Sequence, residues 1–185
     1  GRVHLGSGAS LCAMRDLQSV ATTMGFSALD GLMMGTRCGA LDPGAVIYLM
    51  QIEKLSLDEV ARMLYHDSGL LGVSGVSPDP RELLPLEAGN ERVRAALALY
   101  VRRIVREIGA LTAVLGGLDL LVFTAGIGEH NDVVRARVCE ALGIDAARDK
   151  PWLFGHSDGG SIALLYAARS SDRLAGAIVL APHIV

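Results

Sequence analysis

The run from Asn90 to Gly117 constrains the fold more than any other part of the sequence. Its apolar positions Val93, Leu97, Tyr100, Val101, Ile104, Val105, Ile108 and Leu111 recur at three- and four-residue spacing, with arginines on the opposite side. That is the period of a helix that lays one stripe on a core. Asn90 supplies an N-cap, and the double glycine Gly116-Gly117 supplies a stop. Asp119–Thr124 follows as a near-continuous apolar run of strand length, then the tight Ala125-Gly126-Ile127-Gly128. An amphipathic helix that leads into a buried strand places the chain in the α/β class.

The remaining elements follow from local signals. Leu11–Met14 and Ser19–Thr22 read as two short strands joined by the polar Arg15-Asp16-Leu17-Gln18, a hairpin pattern. A glycine-rich loop covers residues 25–39. Asp42-Pro43 caps a helix through about Ile52, and Ser56 with Glu59 forms a capping box for a helix to about Tyr65. Asp79-Pro80 repeats the cap-plus-proline signal before a short turn. Asn131 caps a helix that ends near Leu142, with Gly143 just past it. Beyond the charged stretch 145–151, Trp152–Phe154 reads as a strand, Gly155–Gly159 as a sharp turn, Ser161–Arg169 as a helix and Leu174–Leu180 as a strand. That is one βαβ unit.

Composition excludes several classes. With 51% hydrophobic and 20% charged residues among 185, the chain has the material for a core and lacks a disordered composition. Seventeen basic against twenty acidic side chains leave a net charge of −3, which argues against nucleic-acid binding by bulk electrostatics. Lysine occurs only at positions 54 and 150, so an anion site would use guanidinium or backbone N–H groups. Cys12, Cys38 and Cys139 are too sparse for a disulfide framework or a zinc site. No apolar h-region opens the chain, and the apolar stretch 108–128 is broken by glycines and Asp119. The expectation is a cytoplasmic protein without membrane or nucleic-acid partners.

Three segments carry chemistry. His4-Leu5-Gly6-Ser7-Gly8-Ala9-Ser10 brings two glycines, two hydroxyls and an imidazole together between strands. Such a loop lets backbone N–H groups approach phosphate oxygens, although a hairpin turn with no ligand has the same sequence. Arg37, held in Gly35-Thr36-Arg37-Cys38-Gly39, suits bidentate contact with a phosphate or carboxylate, or is a solvated loop arginine. Phe123-Thr124-Ala125-Gly126-Ile127-Gly128-Glu129-His130 is a strand–glycine turn–helix passage of the kind that lays a nucleotide against backbone. It lacks full G-x-G-x-x-G spacing, and a plain βα turn would look the same.

Taken in order, HLGSGASLCAMRD (4–16), TTMGFSALDGLMMGTRCGALDPG (22–44), SGVSPDPREL (74–83), REIGALTAVLGGLDLLVFTAGIGEH (106–130) and ALGID (141–145) closely resemble the C-terminal half of acetate kinase. The resemblance implies an incomplete actin-like ATPase (ribonuclease H-like) domain over residues 1–148. It also implies phosphoryl transfer between ATP and acetate, or another short carboxylate, giving ADP and acetyl phosphate with Mg²⁺. The family's phosphate motif falls on His4, Gly6, Ser7 and Gly8, with Ser7 where many members carry Asn. Its catalytic arginine falls on Arg37, and its adenosine turn on Gly126, Ile127 and Gly128, with Glu129 and His130 at the edge. A homodimer is implied as well.

The first residues already read as the middle of a strand, so the chain is expected to start inside a domain. The resemblance places the first phosphate loop, a second arginine, the acetate pocket and the catalytic aspartate in the family's N-terminal domain. The expectation is a half-site, inactive alone or dependent on a complementing N-terminal half.

Residues 151–185 resemble a different family. Gly155-His156-Ser157-Asp158-Gly159 matches the G-x-S-x-G elbow of α/β-hydrolases, between an apolar strand and an alanine-rich helix. An esterase working through Ser157 therefore competes with the kinase reading, but Asp158, Asp172 and His183 do not fall where its acid and base belong. The same strand–turn–helix order also matches the end of an acetate kinase, where a turn carboxylate helps hold Mg²⁺. On that reading Asp158 is the carboxylate near the metal. Two more readings stay open, a non-catalytic dimerisation module and a recombination product of the two families.

Overall fold

The computed structural model describes residues 1–144, 146–149, 152–156, 168–169 and 176–180. It divides into two units, residues 1–138 and 139–185. In the first unit, strands β1 (Arg2–Leu5), β2 (Ala9–Arg15) and β3 (Gln18–Thr22) form an antiparallel meander. Strand β4 (Val122–Thr124) joins β1 in parallel, giving the order β3-β2-β1-β4. Side chains alternate across the sheet: Val3, Leu5, Ala9, Leu11 and Ala13 are buried, whereas Arg2, His4, Ser10 and Cys12 are exposed or half-buried.

Helices α1 (Pro43–Gln51), α2 (Leu57–His66), α3 (Gly69–Ser74) and α4 (Pro80–Leu83) come next, α4 running on into a 3₁₀ turn at Leu84–Leu86. Helix α5 (Glu91–Leu115) then supplies most of the core. Val93, Leu97, Tyr100, Ile104 and Ile108 of the sequence stripe are buried, as is Ala96, while Val101, Val105 and Leu111 are half-buried at its margin. The Asn90 side chain accepts from the Val93 N–H at 3.2 Å, and Gly116 ends the helix in the left-handed region at φ +77°. Helix α6 (Ala125–His130) leaves β4 directly, and α7 (Asp132–Ala141) is capped by Asn131, whose Oδ1 accepts from Val134 N–H at 3.0 Å. Arg137 of α7 makes a bidentate pair with Glu87, at 2.8 and 2.6 Å, which ties α7 to the segment ahead of α5.

The structure departs from the sequence reading at four places in this unit. The hairpin strands extend to Arg15 and Gln18, leaving a two-residue turn at Asp16 (φ +50°) and Leu17 (φ +63°). Asp-Leu in a turn that needs positive φ twice gives no sequence signal of the Asn-Gly kind. The strand expected over 119–124 narrows to Val122–Thr124, the residues that find ladder partners on β1. Helix α3 is short and lacks a readable period. The tight turn expected at 125–128 is instead the first turn of α6, because Ala125 alone reverses the chain at φ +67°.

In the second unit, α8 (Ala146–Asp149) precedes β5 (Trp152–His156), which pairs in parallel with β6 (Gly176–Leu180), Trp152 opposite Gly176 and His156 opposite Leu180. The strand thus runs two residues beyond the expected Phe154. Ser157, Asp158 and most of the helix expected over 161–169 lie outside the described residues. Among the described residues, no helix is long and apolar enough to cross a membrane.

Ala125 holds a left-handed conformation that only glycine adopts without strain, so Ala125→Gly should raise the unfolding free energy by about 1 kcal/mol in a denaturant melt. Gly39→Ala should do the reverse by more than about 1 kcal/mol, because φ is +72° and the added methyl would lie 2.4 Å from the Leu32 carbonyl oxygen. The bonds from Arg137 hold the Glu87 carboxyl below the usual carboxylate range. Glu87 therefore contributes stability that is present above the unfolded-state value of about 4.3 and lost as pH falls through the lower folded value. Glu87→Gln should flatten the acid limb of stability against pH, and an unchanged limb would show that the pair is not coupled to folding.

Candidate functional site

Strands β1 and β4 lie side by side and parallel, so the segments leaving their C-terminal ends come out together. In open α/β sheets that end of the strands is where ligands bind. From β1 leaves a three-residue loop, Gly6-Ser7-Gly8, closed by the Gly6 N–H donating to the Gly8 carbonyl at 2.9 Å. From β4 leaves the Ala125 turn and α6. A methyl at Gly6 would sit 3.5 Å from Ala125 Cβ and 3.9 Å from His4 Nε2, so these three positions meet.

Arg37 arrives from the long loop after β3. Its Nη1 donates to the Ala28 carbonyl at 2.8 Å, and the guanidinium lies over Gly8, where a methyl would stand 3.4 Å from Nη2. The Gly35 N–H reaches the Ser7 carbonyl at 3.5 Å, joining the backbones of the two loops. The half-buried Arg37 guanidinium therefore stands within van der Waals reach of the loop at Gly8. Ser7 itself is exposed.

The other sequence-derived residues occupy distinct places. His4 Nδ1 lies 3.3 Å from Thr124 Oγ1, to which Arg2 Nε also donates at 3.3 Å. These side chains belong to the polar face of the sheet, which Ser10 and Cys12 continue. Gly126 is exposed and faces open space. Gly128 is buried, and a methyl there would lie in ordinary contact with the strand ends, 3.5 Å from the Phe123 carbonyl carbon and 3.7 Å from Leu5 N, so α6 packs close against them. Ile127 is half-buried between them. The Glu129 carboxylate accepts from the Ala125 N–H at 2.9 Å. Its work in this structure is to brace the strained turn.

The sequence reading brought in Arg37, the 6–8 loop and the 126–128 segment separately, and the structure unites them. It missed the Ala28 carbonyl, which holds the guanidinium through backbone and so leaves no side-chain signature. It also missed Ala125, whose positive φ is invisible in an alanine. Among the described residues, no group of three or more His, Cys, Asp or Glu is set to hold a metal. Ser157 and Asp158 lie outside the described residues. What the structure brings together here is a glycine loop, one guanidinium and one imidazole, groups of the kind that bind phosphate oxygens.

Comparison with known proteins shows the family. Over 143 residues the chain is 57% identical to the acetate kinase of Rhodopseudomonas palustris (strain TIE-1), covering 76% of the chain and 35% of the relative. It is 56% identical over 146 residues to that of Methylocella silvestris, covering 77% and 35%. Among solved structures, Porphyromonas gingivalis acetate kinase superimposes with a TM-score of 0.74 at 40% identity, over 77% of this chain and 36% of that one. A propionate kinase from Francisella tularensis gives 0.73 at 37% identity, over 77% and 37%. The fold of residues 1–138 is accordingly that of the actin-like ATPases. The chain spans about a third of the length of the curated relatives it matches. The sequence model of the acetokinase family matches residues 2–154, and the chain belongs to that family.

Proposed function

We propose that this chain is the nucleotide-binding half of an acetate kinase-type phosphotransferase, which moves a phosphoryl group between ATP and acetate. The observation that carries the reading is the contact of Arg37 with the Gly6-Ser7-Gly8 loop beside the Ala125 turn. Backbone N–H groups of that loop, with Ser7 and His4, take phosphate oxygens. Arg37 stabilises the charge that spreads over the transferring group. Exposed Gly126 and half-buried Ile127 offer a surface for the adenosine, with buried Gly128 behind them and Glu129 at the edge.

Mg²⁺ would arrive on the nucleotide phosphates and neutralise their charge, since this ion keeps most of its shell as water and phosphate with only one or two carboxylates. Asp158 is the carboxylate we assign to it. The acetate pocket, the second arginine and the catalytic aspartate belong to a complementing N-terminal half. Phosphoryl transfer needs both halves closed on the same oxygens, so residues 1–148 act together with such a half.

Helix α1 supports the proposed homodimer. It buries none of its residues, and Ile47, Tyr48 and Met50, with Leu41 and Ile52 flanking it, leave large apolar side chains exposed. Such a surface gains by being covered. A second reading, an esterase acting through Ser157, has one observation in its favour: β5 and β6 pair in parallel, as the strands flanking a hydrolase elbow do.

Mg-ATP should raise the thermal midpoint of the chain, with about 2.7 kcal/mol of stabilisation at a hundredfold excess over the dissociation constant. Arg37→Ala should weaken the binding by about ten- to a hundredfold, the loss of one charge-assisted contact worth about 1.5–3 kcal/mol. Asp158→Ala should diminish only the Mg²⁺-dependent part. No shift with any nucleotide would sink the reading. Sedimentation should show a dimer that Tyr48→Glu converts to monomer, and a wild-type monomer at all concentrations would remove the dimer. A p-nitrophenyl ester assay should show no turnover that depends on Ser157, whereas activity abolished by Ser157→Ala would revive the esterase.

A further inference from the structure

The turn that presents Arg37 has little structure of its own. The Met34 N–H donates to the Arg37 carbonyl at 3.1 Å, closing the chain over Gly35 and Thr36. Most of the turn's other backbone bonds run to one place, the junction between α2 and α3. The Leu70, Leu71 and Ser68 N–H groups donate to the carbonyls of Met34, Gly35 and Thr36, each at 2.9 Å. In the other direction, Cys38 N–H donates to Leu64 O at 3.1 Å and Thr36 Oγ1 to Tyr65 O at 2.9 Å. Residues 64–71 therefore act as a template on which the turn is moulded.

At the centre of that template is Gly69. Its φ is +63°, and a methyl on it would lie 2.2 Å from the Met34 carbonyl oxygen and 2.9 Å from those of Gly35 and Arg37. No L-residue fits there unless the turn moves away. We infer that Gly69 is a positioning residue for Arg37: its missing side chain seats the 34–37 turn at the distance from which the guanidinium reaches both the Ala28 carbonyl and the Gly8 loop. The Thr36 hydroxyl fixes the same seat from the other side. The functional consequence rests on the nucleotide reading above, because a guanidinium displaced by about 1 Å loses its share of phosphate binding.

The test uses Gly69→Ala, with Thr36→Val and Thr36→Ser as a milder pair should the first variant fail to fold. The ligand-free readout is the rate at which phenylglyoxal modifies Arg37 in the folded chain, followed by peptide mass spectrometry. Arg135, bonded to the Gly128 and Glu129 carbonyls, is the internal control. Gly69→Ala should raise the Arg37 rate several-fold and leave Arg135 unchanged. Thr36→Val should do so more weakly, and Thr36→Ser should restore the wild-type rate. An unchanged Arg37 rate, or a parallel rise at Arg135, would overturn the inference, the second by revealing mere loosening of the unit.

The ligand readout is a double-mutant cycle on Mg-ATP affinity. Gly69→Ala should weaken binding by about ten- to a hundredfold in the wild-type background and add nothing in Arg37→Ala. Effects that multiply would show that Gly69 acts elsewhere and would overturn the inference. If Arg37→Ala alone leaves affinity unchanged, the nucleotide reading fails instead, and the modification rates decide the positioning by themselves.

Discussion

Burial of the α5 stripe is the interaction on which the first unit depends. Each large apolar side chain taken fully out of water contributes about 1.5–3 kcal/mol. Val93, Leu97, Tyr100, Ile104 and Ile108 are all buried, and so are Val3, Leu5, Leu11 and Ala13 of the sheet. Tyr100 departs from simple packing. Burial pushes its hydroxyl well above the ordinary phenol range, and its oxygen is the one buried side-chain oxygen or nitrogen among the described residues without a hydrogen-bond partner. A buried hydroxyl left unpaired costs about 1–3 kcal/mol, so the ring's packing has to outweigh it.

With one face of the sheet committed to that core, the other keeps polar residues and the strand ends remain free to carry chemistry. The parallel pairing of β1 with β4 is decisive here, because it brings out the 6–8 loop and the Ala125 turn at the same end. Glycine then appears where backbone must approach closely: at position 39 against the Leu32 carbonyl and at position 69 against the Met34 carbonyl. Ala125 breaks the pattern by holding φ +67° without being glycine. Its N–H is satisfied by Glu129, which keeps the strained turn in place.

Arg37 shows how a loop can present a fixed charge. Its own segment supplies one closing hydrogen bond, and most of its other backbone partners come from residues 64–71. A cation that must meet a phosphate oxygen at bonding distance needs this kind of external support, because loop backbone alone allows it too many positions.

Local signals were enough for much of this architecture. The stripe of α5, the caps at Asp42, Ser56, Asp79, Asn90 and Asn131, and the glycine stops at 116 and 143 all act within a few residues of themselves. Their physics is complete in the sequence. The sequence also held the motifs at 4–10, 35–39 and 123–130, and hence the family. What it did not contain were features that exist only between distant segments. The narrowing of β4 to three residues depends on its ladder with β1. The two-residue turn at Asp16-Leu17 depends on strand twist and carries no turn residues that would announce it. The Ala28 carbonyl under Arg37 and the close approach at Gly69 depend on backbone brought together from separate segments of the chain. Side-chain identity determines helices, caps and motifs, because those interactions close locally. The placing of one guanidinium over one glycine loop is decided by tertiary structure alone, because its partners are backbone atoms that every residue possesses.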